Sequence, residues 1–215
     1  MSPPLVIAVD GPAASGKGTI ASGLAALYGL PHLDTGLLYR AVGVAVLAAG
    51  GRLDDEAGAA KIAASLDLAR LDLPEYRTRE AGEAASQVAV HPAVRLALLK
   101  MQQDFARRPG GAVIDGRDIG TVIAPDAVAK LFVTATPEVR AERRWKQLTG
   151  QGESVSMAEV LEDIRLRDAR DSGRGAAPLT QADDAVLLDT SQESIESAAD
   201  AARRIVEAAR IRSNG

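Results

Sequence analysis

Residues Leu5–Thr19 read LVIAVDGPAASGKGT, an apolar run that breaks abruptly into glycine and small residues. Leu5–Val9 predicts a strand buried on both faces, and Asp10-Gly11 ends it in a turn. A helix is expected from about Gly16, with Ile20, Leu24 and Leu27 as its buried stripe and Gly29 as an αL C-cap. Gly11, Pro12, Ala13, Ala14, Ser15, Gly16, Lys17, Gly18 and Thr19 therefore join a strand to a helix N-terminus. Unpaired N–H groups and the positive end of the helix dipole favour a polyphosphate there, and Lys17 adds a mobile charge. The spacing Gly11-x4-Gly16-Lys17 fits a Walker A loop, except that Gly18 follows and the hydroxyl arrives one place late, at Thr19.

The totals narrow the class. A chain of 215 residues makes one large domain, or a core with small lobes, and can bury about 70% of its unfolded surface. Aromatics are 3%, so Ala, Val, Leu and Ile must build the core. A net charge of −4 argues against a protein that coats a nucleic acid polymer. The absence of cysteine excludes disulfides, thiolate catalysis and a cysteine-based zinc site, and the isolated His32 and His91 make no metal cluster. No apolar run is long enough to span a membrane and Met1–Pro4 carries no basic leader, so a soluble, cytoplasmic protein is expected.

Outward from the loop, strands and helices alternate. Pro31–Thr35 predicts a short second strand. A helix over Leu37–Ala49 would bury Leu38, Val42, Ala45 and Ala49, and another would run from an Asp54 N-cap to Leu66. Asp67–Tyr76 is irregular. Thr78–Val90 is helical, and Pro92 opens a helix with Val94, Leu98, Met101 and Phe105 in its stripe. Ala112–Ile114 is a third strand, ending in Asp115-Gly116-Arg117-Asp118, and Leu131–Ala135 is a fourth. Thr136 caps a helix whose Arg140, Arg143, Arg144 and Lys146 read as a solvated face. Gln147–Ser154 is expected to be a mobile loop. Ser156 and Glu159 form a capping box, with Val155 and Val160 as its hydrophobic staple. Ala185–Leu188 is a fifth strand, and Ile195, Ala198, Ala202, Ile205 and Ala209 mark the buried side of a last helix. The pattern predicts an α/β fold, a five-stranded parallel sheet with helices on both faces. Ligands bind such sheets off the carboxyl ends of the strands, where Asp10, Asp34, Asp115 and the Arg117 loop converge.

Phosphoryl transfer needs positive charge on the migrating group, and arginine grips phosphate oxygens bidentately. Separate segments supply Arg40, Arg95, Arg117, Arg167, Arg170 and Arg174. The last three share a helix face at i, i+3 and i+7, where ion pairing with Asp163, Asp168 and Asp171 is the structural alternative.

Asp10-Gly11-Pro12-x3-Gly16-Lys17-Gly18-Thr19, Leu33-Asp34-Thr35-Gly36-x2-Tyr39-Arg40, Arg77-Thr78-x-Glu80, Ala85-Ser86-Gln87-Val88-Ala89, Asp115-Gly116-Arg117-Asp118-x-Gly120-Thr121-Val122, and Arg167-Asp168-x-Arg170-Asp171-x2-Arg174 with Ala177-Pro178-Leu179 resemble the ordered motifs of bacterial cytidylate (CMP/dCMP) kinases. The Gly-Lys-Gly-Thr ending is common to nucleoside monophosphate kinases at large; the DGRD loop, the Ser-Gln-Val helix and the RDxRD lid are more specific. The resemblance implies a P-loop core (residues 1–34, 106–146 and 176–215), a helical monophosphate-binding lobe (35–105) and a short lid (147–175). It further implies ATP held by the loop and Lys17, with Mg2+ bridging the β- and γ-phosphates, through Thr19 if any side chain ligates it. Arg40, Arg117 and Arg167 would grip the acceptor phosphate, and Arg174 would stabilise the transferring group. Thr35, Ser86, Arg95 and Asp118 match positions that contact cytosine, and Asp171 matches one near the ribose. The implied protein is a monomer that takes ATP and CMP or dCMP, with no polymer or membrane partner. Asp118 suits the 4-amino donor of cytosine and Arg95 its O2 and N3 acceptors, whereas uracil would leave both unmatched. Relatives place a small antiparallel sheet between Leu68 and Arg77, for which ARLDLPEY is too short. The remaining alternatives are a P-loop kinase for AMP, UMP or a shikimate-like acceptor, and a non-catalytic nucleotide-binding switch.

Overall fold

Leu5–Asp10 forms β1, the middle strand of a five-stranded, wholly parallel sheet ordered β2-β3-β1-β4-β5 in the computed structural model, which describes residues 4–67 and 73–213. The others are β2 (His32–Asp34), β3 (Gly111–Gly116), β4 (Ala129–Thr134) and β5 (Val186–Asp189). In the β1–β3 register Asp10 stands opposite Gly116, and in the β2–β3 register Asp34 stands opposite Asp115. Three acidic strand ends thus reach the same edge, beside the loop that follows β1.

Alternation along β1 sends Ile7 and Val9 to one side of the sheet and Ala8 to the other. On the first side α1 (Lys17–Tyr28) and α8 (Ile195–Ser213) pack Ile20, Leu24, Ala202 and Val206 against Ile7, Leu131 and Val133. On the second, α2 (Thr35–Ala48), α3 (Glu56–Ala64), α4 (Arg79–Val88) and α5 (Pro92–Ala106) bury Leu38, Val42, Val88, Val94 and Leu98 with Ile114. A third, smaller cluster joins α6 (Pro137–Gly150) and α7 (Met157–Gly173) through Ala141, Leu148, Val160 and Ile164, and it includes Ala13 of the glycine-rich loop. A core of small side chains permits close approach: a Cβ on Gly43 of α2 would stand 2.7 Å from the Ala84 Cβ of α4.

The sheet, the Gly29 αL C-cap, the Pro92 and Pro137 first-turn positions, and the Ser156/Glu159 capping box are all present. Several local expectations fail. Leu27 is 56% exposed, because Ile20, Ala21, Leu24 and Ala25 already fill the face that α1 turns to the sheet. Ala49 lies past the end of α2 and is exposed, and Ala45 is only partly buried. The cap of α3 is Asp55, whose side chain accepts from Gly58 N, while Asp54 pairs with Arg52. Residues 147–150 are the last turn of α6 and not part of a loop. Ile195 is 69% exposed, since the buried row of α8 runs Ala198, Ala202, Val206, Ala209, and Ile205 only flanks it. Residues 68–72, half of the segment in which the resemblance placed a small sheet, lie outside the described residues; Pro74–Arg77 forms a single 3-10 turn.

Candidate active site

The loop after β1 is shaped by close approach. Gly11 takes φ 152°, and a Cβ there would stand 2.0 Å from the Val133 carbonyl oxygen, so no other residue fits. Ala14 (φ 59°) and Gly16 (φ 91°) adopt left-handed conformations, a turn geometry that directs successive N–H groups toward one concavity at the start of α1. Lys17 Nζ donates to Pro12 O at 3.4 Å.

The arginines of α6 brace this loop from outside. Arg140, only 4% exposed, donates to Ala135 O (2.8 Å) and Ala13 O (3.4 Å) and forms two bonds to Asp168. Arg143 donates to Ser15 O and Thr190, and the Thr190 hydroxyl donates to Ser15 O at 2.9 Å. The solvated face expected for α6 is therefore corrected: three of its arginines point inward. The overlooked signal is their spacing, since 140, 143 and 144 stand at i, i+3 and i+4 on one helical face.

Beside the loop opens a cavity of ≈ 620 Å3 whose wall includes Lys17, Asp34, Arg40, Asp115, Arg117, Arg144 and Arg167. Lys17, Arg40, Arg117 and Arg167, expected from the sequence to act on phosphates, thus come together from four elements. Arg40 and Arg167 meet over Gly82, where a Cβ would lie 3.4 Å from Arg40 Nη2 and 3.7 Å from Arg167 Nη1. Arg40 also donates to Tyr76 O and Thr78 O, while Arg167 Nε is buried without a partner among the described residues.

Electrostatically the cavity wall carries more cations than carboxylates. Burial and the neighbouring Arg117 lower Lys17 to about 8. Burial and Arg144 lower Arg40 to about 10, and burial with Arg117 lowers Arg167 to about 9. Opposite them, burial and the like charge of Asp115 raise Asp34. Asp115 is itself held by His32 Nε2 at 2.8 Å.

Thr35, Ser86, Arg95, Asp118, Asp171 and Arg174 are all buried and stand one layer in from this wall. Arg117 connects the layers through Asp171 Oδ2 at 2.7 Å. Burial would raise the Asp171 carboxyl, but Arg117 and Arg167 outweigh it and hold it at about 2. Arg95 pairs directly with Asp118, and Arg174 lies 3.9 Å from Asp118 and 4.0 Å from Asp171 while donating to Ala177 O. Thr35 donates to Asp115 O, and Ser86 Oγ is buried without a partner among the described residues. Thr19 is exposed and lies off the cavity wall.

Among the described residues no group of three His, Cys, Asp or Glu side chains forms a protein-only metal site. The paired Asp34 and Asp115 carboxylates nonetheless suit a hard cation that takes most of its ligands from phosphates and water. No helix among the described residues is long and apolar enough to cross a membrane.

A parallel sheet with a lysine-bearing anion loop and facing guanidinium groups defines a P-loop phosphotransferase. Its lineage is narrower. The sequence pattern described as cytidylate kinase matches residues 7–208, and the chain belongs to that family. It is 70% identical over 207 residues to a cytidylate kinase of Caulobacter vibrioides, covering 96% of this chain and 97% of that one. It is 66% identical over 206 residues to a cytidylate kinase of Xanthobacter autotrophicus, covering 96% and 99%. An uncharacterised protein of Eubacterium ventriosum, 12% identical, shares the fold at a TM-score of 0.54 over 94% of this chain and 98% of its own.

Proposed function

We propose that this enzyme transfers the γ-phosphate of ATP to CMP or dCMP, giving ADP and the nucleoside diphosphate. The observation that carries this reading is the convergence of Lys17, Arg40, Arg117 and Arg167 on one cavity, where burial, and after it the charge of neighbouring arginines, depresses three of them. Only an anion of high charge relieves such a set, and two nucleotides placed phosphate to phosphate supply it.

The nest Gly11–Thr19 and Lys17 hold the donor phosphates. Arg40, Arg117 and Arg167 hold the acceptor phosphate in line, and Arg144, on the same wall, adds charge where the transferring group passes. Behind the wall Asp118 accepts from the cytosine amine, Arg95 donates to O2 and N3, and Ser86 and Thr35 complete the base contacts. Asp171 meets the ribose. For Arg95 and Asp118 to read the base, their mutual pair must open to admit it. Arg174 reaches the transferring group once its bond to Ala177 breaks; in place, it steadies Asp118 and Asp171.

Mg2+ travels with ATP, and Asp34 and Asp115 would hold it beside the phosphates; when bound it neutralises charge on the β- and γ-oxygens. Thr19, exposed on α1, is the weaker candidate ligand. Residues 35–105 act as the acceptor lobe and 147–175 as the lid on a core of 1–34, 106–146 and 176–215, in a monomeric cytoplasmic protein.

Steady-state assays with ATP, Mg2+ and CMP, dCMP, UMP or AMP test the assignment. The highest kcat/KM is expected with CMP or dCMP. An equal value with UMP or AMP overturns the cytosine assignment, and no ADP with any acceptor overturns the kinase reading.

A further inference from the structure

Asp118 is followed by a single π turn, Ile119–Ile123, closed by Ala124 N donating to Ile119 O at 2.7 Å. The first N–H groups of any helical turn have no partner within it. Here both go to one remote side chain: Ile119 N donates to Asp10 Oδ1 at 2.8 Å and Gly120 N donates to Asp10 Oδ2 at 2.7 Å. Asp118 occupies the cap position of this turn yet makes no capping bond. An aspartate there ordinarily accepts from the second or third N–H of the turn, here Gly120 N or Thr121 N. Asp10 takes the Gly120 donor, and the Asp118 carboxylate faces Arg95 and Arg174 instead.

We infer that Asp10 is a positioning residue for acceptor choice: by holding the first two N–H groups of the Ile119–Ile123 turn, it fixes the backbone directly after Asp118 and keeps the Asp118 carboxylate in the base pocket. The inference rests on the reading of Asp118 as the group that accepts the cytosine amine. A carboxylate is required, because two diverging oxygens meet two donors. Asparagine in the same volume would point its own NH2 at one of them, and Asp10 is 5% exposed, so water does not make up the loss. The partner side is equally tight: a Cβ on Gly120 would stand 3.3 Å from Asp10 Oδ2. Because Asp10 directly precedes Gly11, the residue that opens the donor loop also sets the acceptor base contact.

The test measures kcat/KM for CMP and for UMP, with KM for ATP, in the wild type, Asp10→Asn, Asp118→Ala and the double variant. Asp10→Asn is expected to lower the CMP-to-UMP ratio by about ten-fold, the effect of one lost charged hydrogen bond, with KM for ATP less affected than KM for CMP. In the Asp118→Ala background it should add little further loss of ratio, because its effect passes through Asp118. If the ratio survives in Asp10→Asn while both substrates slow together, or if the two losses multiply, the inference is wrong and Asp10 is merely structural. If Asp118→Ala leaves the ratio intact, the base-reading assignment itself fails and takes the inference with it. Should Asp10→Asn not fold, Gly120→Ala presses on the same bond from the other side. A folded Gly120→Ala with an unchanged ratio overturns the inference, and a reduced ratio supports it.

Discussion

Arg140 and Asp168 meet through two hydrogen bonds, of 2.9 and 2.7 Å, that tie the helix after β4 to the helix bearing Arg167. The same guanidinium reaches Ala13 O, so the glycine-rich loop and the helix bearing Arg167 share one brace. Removing one partner strands a buried charge. Asp168→Ala should therefore destabilise the protein by about 3 kcal/mol and lower Tm by roughly 6–12 °C. KM for the acceptor should rise as well, because Arg167 precedes Asp168 in the chain. Calorimetry with steady-state kinetics checks both, and an unshifted Tm means that the pair contributes nothing.

Burial, and then the charge of Arg117, lower Lys17 to about 8. Donor phosphates supply the counter-charge that burial denies it and restore the ordinary lysine range. At pH 8, binding of a non-hydrolysable ATP analogue should accordingly take up about half a proton at this site. Titration calorimetry in buffers of different ionisation enthalpy measures the uptake, and Lys17→Ala should abolish it. The same variant should lose about 100-fold or more in kcat, by analogy with removing a transition-state donor, while circular dichroism stays native.

Acid should act through Asp171. Its folded value of about 2 lies below the 3.8 of the free carboxyl. A depressed acid contributes stability that is complete above about pH 4 and is lost as pH falls toward 2, on the order of 2 kcal/mol in all. Asp10 runs the other way: burial raises it to about 6 against the pull of its two N–H partners, so its ionisation costs stability as pH rises from about 4 to 6. Urea unfolding between pH 2 and 4 should show a steep wild-type loss that is flatter in Asp171→Asn. Equal slopes would mean that Arg117 and Arg167 do not hold this carboxylate.

Gly43 of α2 packs directly on Ala84 of α4, and α2 carries Arg40 while α4 carries Ser86. A methyl at Gly43 would lie 2.9 Å from the Ala84 backbone carbon, which cannot rotate away. Gly43→Ala should cost about 1–3 kcal/mol and raise KM for the acceptor while sparing KM for ATP. Denaturation and initial-rate measurements on one preparation decide this.

Which parts of the molecule were legible beforehand follows from the range of the forces involved. The β1 loop, the caps at Pro92, Pro137 and Ser156, and the alternation of strand with helix are local, set by backbone sterics and by partners a few residues away, and the sequence alone determined them. It also supplied the arginines that the proposed function places on phosphates, as types of side chain spaced along the chain. Exposure of Leu27 and Ile195, burial of Arg140, and the inward turn of Arg143 and Arg144 were decided only by which neighbour filled each helix face first. The split between the cavity wall, with Lys17, Arg40, Arg117 and Arg167, and the closed cluster of Arg95, Asp118, Asp171 and Arg174 behind it belongs to tertiary structure too. So does the service of Asp10 to residues 119 and 120. Hydrogen bonds and charge pairs act over a few ångströms in space, and no spacing in the sequence records which distant carbonyl or carboxylate will stand within that reach.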